Sequence, residues 1–206
     1  MSEGRDVGEG IGVSEAAAAP APLLTMNRVT AVRGGRVLFA SMDIKLMPGE
    51  AMVIVGPNGV GKSSFLRIAG GLLRPAEGNV EHARTALADE NLALEPRRTL
   101  AAALGFWAKL DGNDPAAAMD RMGLTRLADV PVRMLSTGQR KRAALARVIA
   151  SGAPLWLLDE PANGLDVDAQ QRLTEAMAAH RAGGGAILAA THQPFGLGQA
   201  HEIWLS

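Results

Sequence analysis

A single stretch, residues 56–63, carries the residue types that bind a phosphate group. It reads Gly-Pro-Asn-Gly-Val-Gly-Lys-Ser and fits the phosphate-loop pattern G-x-x-x-x-G-K-[S/T] at every fixed position. The glycines permit backbone angles and close approaches that a side chain would block, and a helix start adds positive potential. The predicted nucleotide-binding residues are Gly56, Pro57, Asn58, Gly59, Val60, Gly61, Lys62, Ser63 and Ser64. We predict that Lys62 reaches the β- and γ-phosphates and that the Ser63 hydroxyl ligates Mg2+.

Two acidic residues, Asp159 and Glu160, directly follow an apolar stretch at 155–158. Carboxylates at the end of a buried strand are costly unless they meet a cation or water. We predict that Asp159 belongs to the Mg2+ shell and that Glu160 is the general base for an attacking water. Taken alone, the pattern also fits a turn with two solvated acids, but the phosphate loop favours the catalytic interpretation.

A histidine, His192, follows a third apolar stretch at 186–190. Ligands of open α/β sheets bind at the carboxyl ends of the strands. We therefore predict that His192 is a catalytic residue that senses the γ-phosphate, although a lone histidine is more often structural.

The elements that must position these residues alternate between strand and helix. Residues 51–55 predict a buried strand before the phosphate loop, and 63–69 predict a helix after it. Residues 23–47 alternate in polarity around a Gly-Gly turn, which predicts antiparallel strands. Further strands are predicted near 79–80 and at 202–205, and a further helix at 169–182.

Apolar residues at helical spacing between 99 and 135 predict a small helical insert, which we place at about residues 90–140. A following segment predicts the start of another helix, because Ser136 and Gln139 fit a capping box. The basic residues after it, Arg140, Lys141 and Arg142, are more typical of a solvated or subunit-facing surface than of a nucleic-acid contact. Residues 1–22 have no burial pattern and predict a disordered tail, so that 23–206 form a single domain.

The composition limits the function classes. The 206 residues are 48% hydrophobic, and 21 basic residues balance 21 acidic ones, which disfavours a dedicated nucleic-acid binder. The absence of cysteine excludes disulfides and thiolate metal sites. No apolar run approaches the ~20 residues of a membrane-spanning helix, and the first residues lack the pattern of a signal peptide. We therefore expect any membrane role to come through a partner.

The motifs and their order resemble those of the ATP-binding-cassette (ABC) ATPases over about residues 23–206. The most specific match is the five-residue signature Leu135, Ser136, Thr137, Gly138 and Gln139. The resemblance implies an α/β fold of the P-loop NTPase type, with a mixed sheet core, an antiparallel β subdomain and a small α-helical insert. It also implies ATP hydrolysis coupled to transport, a translocase activity with ATP and Mg2+ as cofactors.

The same resemblance implies a homodimer that binds ATP between its two subunits. The signature of one subunit would meet the γ-phosphate held by Lys62 of the other, and Asp166 would lie at the dimer seam.

Within this family the chain resembles the CcmA group, the ATPase subunit of the cytochrome c maturation system or haem exporter. The small size, the run 135–166 and Gly105-Phe106-Trp107 carry this resemblance. It implies integral membrane permease partners of the CcmB and CcmC type, a location at the cytoplasmic face of the bacterial inner membrane, and ATP turnover that releases a haem-loaded chaperone. No direct haem binding is expected, because there is no Cys-x-x-Cys-His and the four histidines are scattered.

Two positions depart from the ABC pattern. Arg33 stands where an aromatic ring usually stacks on adenine, and it either stacks through its guanidinium or is a solvated loop arginine. Glu90 stands near the place of the usual metal-contacting glutamine, and we keep it as a candidate Mg2+ ligand.

Two alternative functions stay open: the ATPase of another small-molecule exporter, and a nucleotide-driven conformational lock with slow hydrolysis. A cassette ATPase acting on DNA or ribosomes is disfavoured by the short insert and the neutral charge.

Overall fold

The computed structural model describes residues 20–192 and 196–206. In this part of the chain, a five-stranded parallel sheet has the order β5-β6-β7-β3-β8. Its strands are β3 (Ala51–Val55), β5 (Thr85–Ala88), β6 (Leu155–Asp159), β7 (Ala186–Thr191) and β8 (His201–Trp204). The carboxyl ends of parallel strands meet at one edge, so the segments after β3, β6 and β7 lie together.

A second sheet is antiparallel and has the order β2-β1-β4. Its strands are β1 (Leu24–Arg33), β2 (Arg36–Leu46) and β4 (Glu77–His82). The hairpin between β1 and β2 turns at Gly34 and Gly35, both of which have positive φ. The antiparallel β subdomain that the resemblance implies is therefore present as a sheet of its own, and the described strands of the core sheet run parallel to one another.

Helices cover both faces of the parallel sheet. The helices that pack on the core strands are α1 (Lys62–Ala69), α4 (Thr137–Ala150) and α5 (Val167–Ala182), and the insert contributes α2 (Leu100–Leu110) and α3 (Ala116–Arg121). Two short 3-10 turns, Thr125–Leu127 and Val132–Met134, join the insert to α4. In the described part of the chain, no helix combines the length and the apolar character needed to cross a bilayer.

The core consists of two apolar clusters on opposite faces of the parallel sheet. Successive residues of β6 alternate between them: Leu155 and Leu157 pack with α1 and the antiparallel sheet, whereas Trp156 and Leu158 pack with α4, α5 and the insert. This alternation follows from the two-residue period of a strand, and burial on both faces explains why β6 is apolar throughout. The parallel sheet therefore supports both apolar clusters, one on each of its faces.

The structure confirms most predicted elements and adds one. The strand and helix around the phosphate loop, the hairpin, the strand at 77–82 and the helix starting after the signature are all present. Strand β5 was not predicted, because its four residues include two alanines and lack the β-branched run of a typical strand. Most of the predicted disordered tail, residues 1–19, lies outside the described residues, and the boundaries of the insert stay a prediction.

Candidate active site

The phosphate loop lines a cavity of about 250 Å3 at the carboxyl end of the parallel sheet. Its walls combine three parts of the chain: the loop and the start of α1, the acids after β6, and the end of the β1–β2 hairpin. The lining residues are Arg33, Leu38, Asn58, Gly59, Gly61, Lys62, Ser63, Ser64, Asp159 and Glu160. The fold thus brings the loop, both predicted acids and Arg33 into one space.

Backbone geometry explains two of the loop glycines. Gly61 has φ 123°, in the region that side chains avoid. A Cβ on Gly56 would lie 2.6 Å from the carbonyl oxygen of Leu205, which follows β8. The loop therefore passes too close to the neighbouring backbone for any larger residue at this position.

The Lys62 side chain is buried, with 7% of its surface exposed. Its Nζ donates hydrogen bonds to the carbonyl oxygens of Gly56 (2.7 Å) and Pro57 (3.2 Å). It also lies 3.8 Å from Oε1 of Glu160. A buried ammonium is thus held inside the loop by weak neutral acceptors and one carboxylate, which phosphate oxygens could replace as stronger partners.

The side chains of Asp159 and Ser63 place two oxygen atoms that could ligate a metal ion side by side. Burial raises the pKa of Asp159 above its ordinary value. The hydrogen bond between the Asp159 and Ser63 side chains opposes this rise. The negative charge of Glu160 adds to this rise in the pKa. A hydroxyl and a carboxylate fit Mg2+, which is commonly bound by one or two carboxylates together with substrate phosphates. The described residues contain no cluster of three or more His, Cys, Asp or Glu side chains that could hold a metal without substrate.

Glu160 and His192 form a contact across two neighbouring strands. Nδ1 of His192, just after β7, lies 2.9 Å from Oε1 of Glu160, just after β6. Asn163 Nδ2 lies 3.4 Å from the other carboxylate oxygen, Oε2. Glu160 itself has φ 45°, a left-handed conformation that is uncommon for a residue other than glycine. The predicted base is therefore held in a strained backbone conformation with its side chain oriented by His192.

The signature segment begins α4 and does not contribute to the lining of this cavity. Gln139 N donates to Ser136 Oγ at 3.3 Å, and Ser136 N donates to Gln139 Oε1 at 2.8 Å, which confirms the predicted capping box. Gly138 lies against the turn before α5, where a Cβ would be 3.1 Å from the carbonyl oxygen of Gly164. Asp166 accepts a hydrogen bond from Ala169 N at 2.8 Å and caps α5.

The two departures from the ABC pattern differ in their placement. Arg33, the last residue of β1, lines the cavity together with Leu38, and no aromatic residue is among the lining residues. Glu90 points to solvent with 85% of its side chain exposed, and it lies 3.8 Å from Arg67. Its role as a metal ligand stays a prediction.

Asp89 is a residue that the sequence analysis did not single out. It follows β5, its side chain is only 10% exposed, and it pairs with Arg67 of α1 at 3.1 Å. Its charge contributes to the raised pKa of Asp159. Recognising β5 as a strand would have revealed Asp89, because β5 and β6 are parallel neighbours whose carboxyl ends meet.

The three basic residues after the signature were predicted to form a solvated or subunit-facing surface. Two of them, Lys141 and Arg142, are half-buried and bond within their own chain rather than being fully solvated, and the subunit-facing alternative stays a prediction. Arg142 donates to the carbonyl oxygens of Met122 and Gly123, both at 3.3 Å. Lys141 turns inward, and its Nζ donates to the carbonyl oxygen of Asp159 at 3.1 Å. Arg140 is exposed, as expected. The alanines around these residues gave no apolar stripe from which the buried face of α4 could be read.

Comparison with known proteins agrees with these observations. The family model described as "ABC transporter" matches residues 39–163. A protein of Sphingopyxis alaskensis named cytochrome c biogenesis ATP-binding export protein CcmA is 53% identical over 88% of this chain and 95% of its own length. A protein of the same name from Novosphingobium aromaticivorans is 53% identical over 87% of the chain and 94% of its own length. A solved ATP-binding subunit of an ABC transporter shares the fold, with a TM-score of 0.76, 24% identity, and coverage of 82% of this chain and 79% of its own.

Proposed function

Because the chain belongs to the ABC transporter family and, within it, to the cytochrome c biogenesis ATP-binding export proteins named CcmA, we propose that it is the ATP-hydrolysing subunit of a membrane export complex in cytochrome c maturation. The observation that carries this proposal is the convergence of the phosphate loop with Asp159, Glu160 and His192 at one edge of the sheet.

In the proposed reaction, Lys62 exchanges its contacts with the loop carbonyls for oxygens of the β- and γ-phosphates. Ser63 and Asp159 would hold Mg2+, which neutralises phosphate charge when bound. Glu160 accepts the proton of a water that attacks the γ-phosphorus in line with the leaving oxygen. The contact between His192 and Glu160 orients the carboxylate toward that water.

We further propose that two copies of the chain complete each other's sites. Ser136 and Gly138 lie at the start of α4, where the positive end of the helix favours an anion, yet they do not line the cavity of their own chain. A second copy packed head to tail would present its signature to the γ-phosphate held by Lys62. Asp166 would then lie at the seam, since its turn contacts the signature through Gly138 and Gly164.

An apolar groove offers a place for the membrane partner. It has a volume of about 410 Å3 and lies between the segment after β5 and helix α2. Its lining residues are Ala93, Leu94, Glu95, Pro96, Arg98, Ala103, Phe106 and Trp107. We propose that a short cytoplasmic helix of a CcmB- or CcmC-type permease binds here, which would hold the chain at the cytoplasmic face of the inner membrane. ATP turnover would then drive the release of a haem-loaded chaperone.

The substitution Glu160→Gln tests the proposed reaction, because it keeps the shape of the side chain and removes the base. We expect ATP hydrolysis to fall by at least about 100-fold, the usual contribution of a general base, while ATP binding persists. Steady-state phosphate release and equilibrium ATP binding measure the two effects. Glu81→Gln, an exposed acid in β4, is the matched control.

Two results would contradict the proposal in different ways. Hydrolysis by Glu160→Gln at the rate of the unmodified protein would remove Glu160 from the role of base. Tight ATP binding with no hydrolysis by the unmodified protein, alone or with its membrane partners, would favour the nucleotide-driven lock.

A further inference from the structure

Lys141 occupies an unusual position for a lysine. It lies in the first turns of α4, five residues after the cap Ser136, and it is partly buried although lysine side chains are normally exposed. Its ammonium donates a hydrogen bond to the backbone carbonyl of Asp159 at 3.1 Å. The adjacent Arg140 is exposed and Arg142 donates to the carbonyl oxygens of Met122 and Gly123, so of these three basic residues Lys141 is the one that contacts the end of β6.

The carbonyl that Lys141 contacts belongs to the peptide unit that joins Asp159 to Glu160. The other polar group of this unit, the N–H of Glu160, donates to the carbonyl oxygen of Ala190 in β7 at 2.8 Å. Both hydrogen-bonding groups of one peptide plane are therefore engaged, one by the neighbouring strand and one by Lys141. The next residue is Glu160 with its φ of 45°, and such a conformation persists only where the surroundings fix it.

Lys141 also balances charge beneath the site. The carboxylates of Asp159, Glu160 and Asp89 all interact with its ammonium. Two other cations lie near these acids: Arg67 pairs with Asp89 at 3.1 Å, and Lys62, which donates to the loop carbonyls, lies 3.8 Å from Oε1 of Glu160. Lys141 reaches the end of β6 from α4, which packs on the face of the parallel sheet opposite α1.

We propose that Lys141 is a positioning residue for the general base: by holding the 159–160 peptide plane, it sets the direction in which the Glu160 carboxylate points. This inference rests on the proposed hydrolysis with Glu160 as base. It also assigns α4 two tasks, because the helix starts with the signature and, through Lys141, positions the general base of its own chain.

The test compares Lys141→Met, which removes the hydrogen-bond donor and the charge, with Lys141→Arg, which keeps both. We expect Lys141→Met to lower kcat about 10-fold, as the loss of a residue supporting a catalytic group typically does, with KM for ATP changed less than about two-fold. Lys141→Arg should recover most of kcat. Lys45→Met, at an exposed position of β2, is the matched control, and equilibrium binding of a fluorescent ATP analogue should be unchanged in all variants.

A double-mutant comparison decides whether Lys141 acts through Glu160. In a Glu160→Gln background the peptide plane no longer positions a base, so adding Lys141→Met should leave the residual single-turnover rate unchanged. An additional 10-fold loss in that background, or an unchanged kcat in Lys141→Met alone, would overturn the inference. An unmodified protein that does not hydrolyse ATP would overturn the proposed function and, with it, the inference about Lys141, whatever the binding measurements show.

Discussion

We propose that Arg33 stacks on the nucleotide base, since the described cavity has no aromatic lining residue. A guanidinium plane can cover a base, and an exposed stacking contact contributes about 1 kcal/mol. We therefore expect Arg33→Ala to weaken ATP binding about five-fold while binding of inorganic tripolyphosphate stays unchanged. Arg33→Tyr should restore ATP binding. Equilibrium titrations with both ligands measure these effects.

Arg36 provides the control for this prediction, because it faces Arg33 across the hairpin and does not line the cavity. Arg36→Ala should bind both ligands normally. An equal loss of affinity for ATP and tripolyphosphate in Arg33→Ala would show that Arg33 contacts phosphate rather than base.

Among single residues, the sequence predicted those that belong to a motif with fixed spacing or that directly follow an apolar strand. Lys62 and Ser63 follow from the loop pattern, and Asp159 and Glu160 follow from acids after an apolar strand. Lys141 and Asp89 could not be predicted in the same way. Their roles depend on which side of a helix or strand faces the site, and an alanine-rich helix carries little information on its buried face.

At the scale of elements, α4 connects the active site to the insert. Lys141, near its start, contacts the end of β6, and Arg147, one to two turns later, donates to the carbonyl oxygen of Leu87 in β5. The Arg147 guanidinium also lies 5.5 Å from the ring centre of Trp107, which lines the apolar groove. A single helix therefore contacts the strand ends under the acids and one wall of the groove.

The groove itself supports a prediction about partners. Phe106 is half exposed on α2 and contributes apolar surface to the groove, so a carboxylate there should prevent an apolar helix from binding. We expect Phe106→Asp to abolish co-purification of the membrane permease from detergent-solubilised native membranes. Basal ATP hydrolysis by the isolated subunit should be unchanged, because Phe106 does not line the nucleotide cavity.

Leu110→Asp is the control for this prediction, since Leu110 is exposed on the same helix but does not line the groove. It should leave co-purification intact. Recovery of the same membrane proteins with Phe106→Asp would show that the partner binds elsewhere.

Across the fold, the buried central strands of the parallel sheet were the most predictable feature and the edge strand β5 was the least. Strands β3, β6 and β7 are buried on both faces and read as continuous apolar runs. Strand β5 is a short edge strand that, within residues 20–192 and 196–206, pairs only with β6, so its sequence needs less apolar character. The separation of the antiparallel strands into their own sheet depends on long-range packing, which local patterns do not encode.

If two copies share their sites, combining two differently inactivated copies should restore activity. In a purified hybrid of one Lys62→Ala copy and one Ser136→Asn copy, one site joins an intact phosphate loop to an intact signature, and the other site carries both defects. Asparagine caps a helix as well as serine does, so α4 should stay folded.

We expect the hybrid to show about half of the unmodified ATPase activity, although each parent is inactive, because a two-fold dimer has two equivalent sites. A control hybrid with both substitutions in one copy has no intact site and should be inactive. Equal activity in the two hybrids would contradict the shared-site dimer.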